Sequence, residues 1–213
     1  YEIGGGFENQ KGLGIENINL YMRMFGFGES IKGNPLVDYA GTIPSPAWKK
    51  ENFEGEDWRI GDTYNTSIGQ YGFQVTLIQA VRATASIGNG GILLEPSILR
   101  DPHVGLDNTK RLPFSEEQIS VAQEGMRQAV LEGTAKGLDI PQVKIAGKTG
   151  TAELGTSKKY VNSWIVGFFP YDMPRYAFAT IMEKGPYENT VGALYTMRQL
   201  FEWMSVHTPE YFK

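Results

Sequence analysis

Residues 143–182 constrain the fold more tightly than any other part of the chain. Three segments rich in β-branched and aromatic residues, Val143 to Glu153, Val161 to Phe169 and Tyr176 to Met182, follow one another over short links. In the first, Val143 and Ile145 alternate with Lys144 and Ala146, the period of a strand with one buried face. Pro170-Tyr-Asp-Met-Pro174 reads as a hairpin connection between the second and third. Parallel neighbours need a crossover of about a dozen residues, so these three strands are expected to be antiparallel. The first is expected to end in a turn that carries chemistry. Gly147 and Gly150 let a backbone or a ligand lie close, and Lys148, Thr149 and Thr151 present one ammonium, two hydroxyls and free backbone N–H groups along an edge that suits a carboxylate or an oxyanion. Lys148-Thr149-Gly150 alone is weak evidence, since a β-turn with a solvated lysine has the same composition.

Helices are expected on either side of these strands. Ile15, Ile18, Met22 and Phe25 recur at helical spacing before Gly26, which predicts a helix over about residues 15–25. From Phe27 to Thr66 no period is sustained, and the stretch reads as a long loop tied down by its own aromatic residues or kept for binding. Thr76-Leu-Ile-Gln79 is a capping box, and the helix it opens carries Leu77, Ala80, Val81, Thr84, Ala85 and Ile87 on one face until Gly88-Asn-Gly-Gly91 stops it. Gly91 to Leu94 reads as a short strand. A second capping box, Ser115-Glu-Glu-Gln118, starts a helix with Ile119, Ala122, Met126, Ala129 and Val130 in register, ended by Gly133. A last helix over roughly Thr190 to Met204 places Leu194, Met197, Leu200, Phe201 and Met204 together. The sum is an α+β fold, an antiparallel sheet covered by helices.

Length and composition bound the functional classes. The 213 residues, 41% hydrophobic, suffice for one domain. A net charge of −4 implies no nucleic acid and no acidic membrane surface. Absent cysteine removes thiol catalysis and cysteine–zinc sites. No apolar run reaches the 18 or so residues of a membrane helix. His103 and His207, the only histidines, have no partner at motif spacing and read as surface or loop residues, so a Ser-His-Asp hydrolase and a zinc site are not expected. The chain opens Tyr-Glu-Ile without methionine and looks cut from something longer.

Lys148-Thr-Gly-Thr-Ala-Glu153, followed by Trp164-Ile-Val-Gly-Phe-Phe-Pro170, resembles the third active-site motif and next strand of the penicillin-binding protein and serine β-lactamase superfamily. Further landmarks stand upstream in the order of class B penicillin-binding proteins: Gly41-Thr-Ile-Pro-Ser-Pro46, Gly61-Asp62, Ser67-Ile-Gly-Gln70, Thr76-Leu-Ile-Gln79, Asn89-Gly-Gly91 with Pro96, and Gly133-Thr-Ala135. The opening Tyr1 to Gly26 is most similar to elongation-type members.

The resemblance implies a β-lactamase/transpeptidase-like fold and a D,D-transpeptidase at the periplasmic face of the cytoplasmic membrane. Such an enzyme cross-links peptidoglycan stem peptides, is acylated by β-lactam antibiotics and works with membrane proteins of the elongation machinery. Lys148 would sit beside the nucleophile, Thr149, Gly150 and Thr151 would bind the terminal carboxylate of the substrate, and the Thr151 N–H would supply half of the oxyanion hole. No cofactor or metal is implied. One departure is large: no serine here has a lysine three residues later, and no S-x-N occurs. Both motifs precede the matching region in the family, so the chain is expected to be a transpeptidase domain over residues 1–213, incomplete at its N-terminus and inactive alone. A serine β-lactamase and a non-catalytic β-lactam sensor are the alternatives. The aromatic stretch Trp48 to Trp58 is either a partner-docking loop or one packed on itself.

Overall fold

The computed structural model describes residues 1–31, 39–98, 109–155, 157–188 and 191–213. His103 and Thr190, the first residue of the expected last helix, lie outside them. The chain forms two compact units, Tyr1–Gln79 and Ala80–Lys213.

The first unit is helical. α1 (Glu2–Gly5), α2 (Gly14–Met24), α3 (Pro46–Asn52) and α4 (Ile60–Ser67) are joined by irregular chain. The predicted helix over 15–25 corresponds to α2, which buries Ile15 and Ile18, and Gly26 closes it at φ 84°. α1 approaches α4 so closely that a Cβ on Gly5 would lie 2.1 Å from the Tyr64 ring, and Tyr64 Oη donates to Gly6 O at 2.9 Å.

α3 and α4 correct the reading of residues 27–66 as irregular. Ser45 caps α3 by accepting from Trp48 N at 3.1 Å, with Pro46 preset for the first turn. These helices are short, and tertiary contacts supply what their period lacks. Lys49, 2% exposed, donates to Asp62 Oδ2 at 2.8 Å, which ties α3 to α4. Trp48, Phe53 and Trp58 all pack on Tyr71, with ring centroids 5.7, 5.8 and 5.7 Å away. The aromatic stretch is therefore gathered around Tyr71, beyond its own end, with Trp48 and Phe53 also in contact at 5.5 Å.

Gln79 does more than cap. Its backbone N–H and that of Thr76 complete the capping box at 3.3 and 2.9 Å, while its side-chain amide donates to Glu29 O and Ala40 O, both at 2.9 Å. It is fully buried, and one glutamine holds three separate segments together.

α5 (Leu77–Gly88) crosses from the first unit into the second, whose other α-helices and strands are β1 (Ile92–Leu93), β2 (Lys110–Arg111), α6 (Glu116–Leu131), β3 (Ala146–Leu154), β4 (Tyr160–Phe169), β5 (Tyr176–Pro186) and α7 (Ala193–His207), with short 3-10 turns at Lys136–Leu138 and Pro209–Phe212. The sheet order β3-β4-β5 is antiparallel throughout, as the short links require. The predicted short strand after α5 is β1, paired with β2, a strand too short to leave a sequence pattern. The core lies between the sheet and α7: Ile145, Ile165, Leu138, Val130 and Phe201 are fully buried there. Phe201 meets Phe169 and Phe178 edge to face at 5.0 and 5.3 Å.

Two helix faces are rotated from expectation. α6 buries Ile119 and Val130, but Ala122 is exposed and the side between them is filled by Gln123 and Arg127. Gln123 Nε2 donates to Ile87 O and Gly88 O at 2.8 and 3.1 Å, satisfying the last carbonyls of α5, and Arg127 Nη1 donates to Ile145 O at 2.9 Å. On α7, Ala193, Met197 and Phe201 face the core and Leu200 faces outward.

Candidate functional site

β3 does not end in a turn. It starts at Ala146, three residues later than the apolar alternation suggested, and runs unbroken through Lys148-Thr149-Gly150-Thr151 to Leu154. Val143 forms only an isolated bridge with Ile140. Among the described residues β4 is its one strand partner, so its other long side is an edge that no strand covers.

The register places each side chain. Thr149 pairs with fully buried Ile165, and Thr151 with Ser163, so both threonines project to the α7 side of the sheet; Lys148 and Gly150 pair with Val166 and Trp164 and project to the other. The expected group is thus together at one edge but divided between two faces. The long lysine stem bridges the division: Lys148 Nζ returns to the strand and donates to Thr149 O at 2.6 Å. Lys148 and Thr151 are exposed, and Thr149 and Gly150 are half-buried.

The glycines separate into two roles. Gly147 faces Gly167 across the β3–β4 ladder, and a Cβ on Gly147 would lie 3.2 Å from Val166 O and 3.6 Å from Leu138 Cδ1. A Cβ on Gly167 would lie 2.4 Å from Ala146 O and 2.5 Å from the Phe178 ring. This pair serves core packing, not ligand approach. Gly150 differs: its Cβ would meet only Trp164, at 3.4 Å or more, which leaves that face of the strand open.

A hollow of about 630 Å³ opens on the threonine side, walled by Thr134, Thr149, Thr151, Tyr187, Tyr195 and Arg198 among others. Its mixture of aromatic walls and a few convergent polar groups is what small-molecule and peptide sites use. Thr134 belongs to the Gly133-Thr-Ala135 landmark but carried no site role in the sequence. Its hydroxyl oxygen lies 2.6 Å from that of Thr149. Fifteen positions separate the two residues in the chain, and no local pattern joins them. Arg198, also missed, donates from Nη1 to Gly137 O at 2.8 Å and from Nε to Glu202 Oε1 at 2.7 Å.

The serines near these elements serve structure. Ser163 Oγ accepts from Ala193 N at 3.1 Å at the start of α7, Ser86 Oγ donates to Ala83 O, and Ser115 caps α6. His207 is exposed and stacked on Trp203 at 4.6 Å, a surface residue as expected. Among the described residues no group of three His, Asp or Glu could hold a metal ion, and no helix is long and apolar enough to cross a membrane.

Comparison with known proteins identifies the family and the fold. The peptidoglycan D,D-transpeptidase MrdA of Acinetobacter baumannii is 32% identical over 203 residues, covering 85% of this chain and 30% of its own length. MrdA of Escherichia coli K12 is 28% identical, covering 89% of this chain and 33% of its own length. The chain thus spans about a third of these relatives. The solved structure of penicillin-binding protein PBP2 from Helicobacter pylori superposes with a TM-score of 0.74 at 28% identity, over 99% of this chain and 37% of that one. A complex of the same protein with MreC matches 90% of this chain and 36% of that one, at 28% identity and a TM-score of 0.71. The family model for the penicillin-binding protein transpeptidase domain matches residues 6–200, across both units. The chain, with its helix-covered antiparallel sheet and Lys148-Thr-Gly150 edge, belongs to the penicillin-binding protein transpeptidase family.

Proposed function

We propose that these residues are the C-terminal portion of the transpeptidase domain of an elongation-type peptidoglycan D,D-transpeptidase, with both compact units parts of that one domain. The observation that carries the reading is the β3 edge, where an ammonium and two hydroxyls stand on one strand beside a hollow large enough for a peptide end. Lys148 is the residue proposed to act beside the nucleophile. Thr149, Gly150 and Thr151 are proposed to hold the terminal carboxylate of a D-Ala-D-Ala stem peptide or of a β-lactam. The Thr151 N–H is proposed as one oxyanion donor, a contribution of about 3 kcal/mol to the barrier in comparable sites.

In the reaction, a serine oxygen supplied by the rest of the domain bonds the penultimate D-Ala carbonyl carbon, the C–N bond to the terminal D-Ala breaks, and the proton lost by the serine goes to the departing amine. An acceptor amine then bonds the acyl carbon, the ester C–O bond to the serine breaks, and the proton lost by the amine returns to the serine oxygen. The protein is proposed to act at the periplasmic face of the cytoplasmic membrane with membrane proteins of the elongation machinery, as the MreC complex of its H. pylori relative suggests. This chain alone, without S-x-x-K or S-x-N, is proposed to be inactive.

Intact-mass measurement after incubation with excess benzylpenicillin tests this reading, with these 213 residues beside the full-length protein. One penicilloyl adduct on the full-length protein only is expected. An adduct on the 213-residue chain would assign the nucleophile to one of its own serines. No adduct on either would favour a non-catalytic relative, and rapid loss of the adduct with turnover would favour a β-lactamase.

A further inference from the structure

We infer that Thr134 is a positioning residue that orders the hydroxyl proton of Thr149, so that β3 offers the ligand's carboxylate a donor. The inference rests on the carboxylate-binding role proposed for Thr149. The two hydroxyl oxygens are 2.6 Å apart. A threonine hydroxyl has one proton and two acceptor lone pairs, so in a pair this close one hydroxyl donates to the other. If Thr149 donated to Thr134, its lone pairs would face the hollow and a carboxylate would meet an acceptor. If Thr134 donates, the Thr149 proton is free to point at the ligand, and Thr149, already accepting, is polarised into a stronger donor. A bound carboxylate selects the second arrangement. Thr134 supplies it by rotation of a hydroxyl, with no heavy atom displaced.

The turn that carries Thr134 is built to hold it still. Ala135 and Leu138, on either side of the turn's centre, are fully buried. Ala135 N donates to Ala129 O and Leu138 N to Ala135 O, both at 2.9 Å. Arg198 of α7 pins the same turn through Gly137 O at 2.8 Å. Gly133 is confined as well, since a Cβ there would lie 2.8 Å from Ala129 Cα. Thr134 itself is exposed at the rim. Its side chain therefore contributes little packing, and its hydroxyl can be removed with little effect on the fold. A hydroxyl held on such a scaffold is preorganised, which is the property a positioning group needs.

The test uses the full-length protein and two ligands that differ at one group, benzylpenicillin and its carboxyl methyl ester. Second-order acylation rates are measured for the wild type, T134V and T134S, with melting temperatures recorded beside them. In T134V the rate with benzylpenicillin is expected to fall about tenfold, the scale of one hydrogen bond to a charged group. The rate with the methyl ester should be unchanged, and T134S should behave as wild type with both. Equal losses on both ligands in T134V would assign Thr134 a packing role and overturn the inference. No loss on either would mean that Thr149 orders its own proton, which overturns the inference equally. A wild type that forms no adduct with either ligand would instead overturn the transpeptidase reading, and the inference with it.

Discussion

Lys148 and Thr149 are chain neighbours that leave β3 on opposite faces, and this alternation decides how each responds to substitution. Lys148 is exposed and makes its one described bond to the carbonyl of the next residue, so it contributes little to packing. If Lys148 acts beside the nucleophile as proposed, Lys148→Met in the full-length protein is expected to slow benzylpenicillin acylation by about a hundredfold or more, the scale of one group that stabilises developing charge, with an unchanged melting temperature; stopped-flow or mass-resolved acylation kinetics measure it. The glycines of the same ladder behave oppositely. Gly167→Ala places a methyl 2.4 Å from Ala146 O, a backbone atom that cannot swing away, and is expected to destabilise the protein by about 1–3 kcal/mol in urea unfolding. Gly150→Ala, which meets only Trp164, should fold normally.

At the scale of elements, α3 and α4 depend on a buried charge. The hydrogen bond from Lys49 to Asp62 holds the Lys49 ammonium above its ordinary range, against the cost of burial. Burial works against the Asp62 carboxylate, but hydrogen bonds from Lys49, from the Arg59 N–H and from Tyr71 outweigh it and hold the group below its ordinary range. Glu56 also faces the ammonium, at 3.4 Å. A depressed carboxylate contributes stability that is full above its ordinary value, about 4, and is lost as pH falls through its folded value. A raised lysine contributes stability that is full below its ordinary value, about 10.4, and is lost as pH rises further through its folded value. The α3–α4 hairpin should therefore loosen at both extremes and hold in between. Trp48 and Trp58 fluorescence followed against pH reads it, and Asp62→Asn should abolish the acid limb. α6 depends on its cap instead: Ser115→Ala removes the acceptor for Gln118 N and should cost about 1 kcal/mol in thermal unfolding.

Across the whole molecule, the sheet and α7 share one aromatic core centred on Phe201, which touches Phe169, Phe178 and Phe212 and has no exposed surface. Phe201→Ala is expected to cost about 3–5 kcal/mol, measured by chemical unfolding, without touching any residue of the β3 edge. Phe201 was legible in advance because it recurs with Met197 at helical spacing. Leu200 was misplaced: one residue along a helix is a turn of about 100°, enough to carry a leucine from core to solvent. Gln79 and Lys49 were not legible as core residues, since burial of a polar group depends on partners far away in the chain. The two short helices before α5 escaped for the same reason: their period is too brief to register, and an ion pair with an aromatic cluster stabilises them.

By itself the sequence determined what depends on near neighbours. Short links made three strands antiparallel, two capping boxes started α5 and α6, and ordered motifs around Lys148-Thr-Gly150 carried the family. Such features are written in residues a few positions apart, where steric and hydrogen-bonding rules act directly. Only the tertiary structure decided where β3 begins, that Lys148 and Thr149 face opposite ways from a continuous strand, and that Thr134 meets Thr149 at 2.6 Å. Those outcomes depend on register and on the packing of α6 and α7 against the sheet, which place groups from distant positions within bonding distance and leave no local pattern to read.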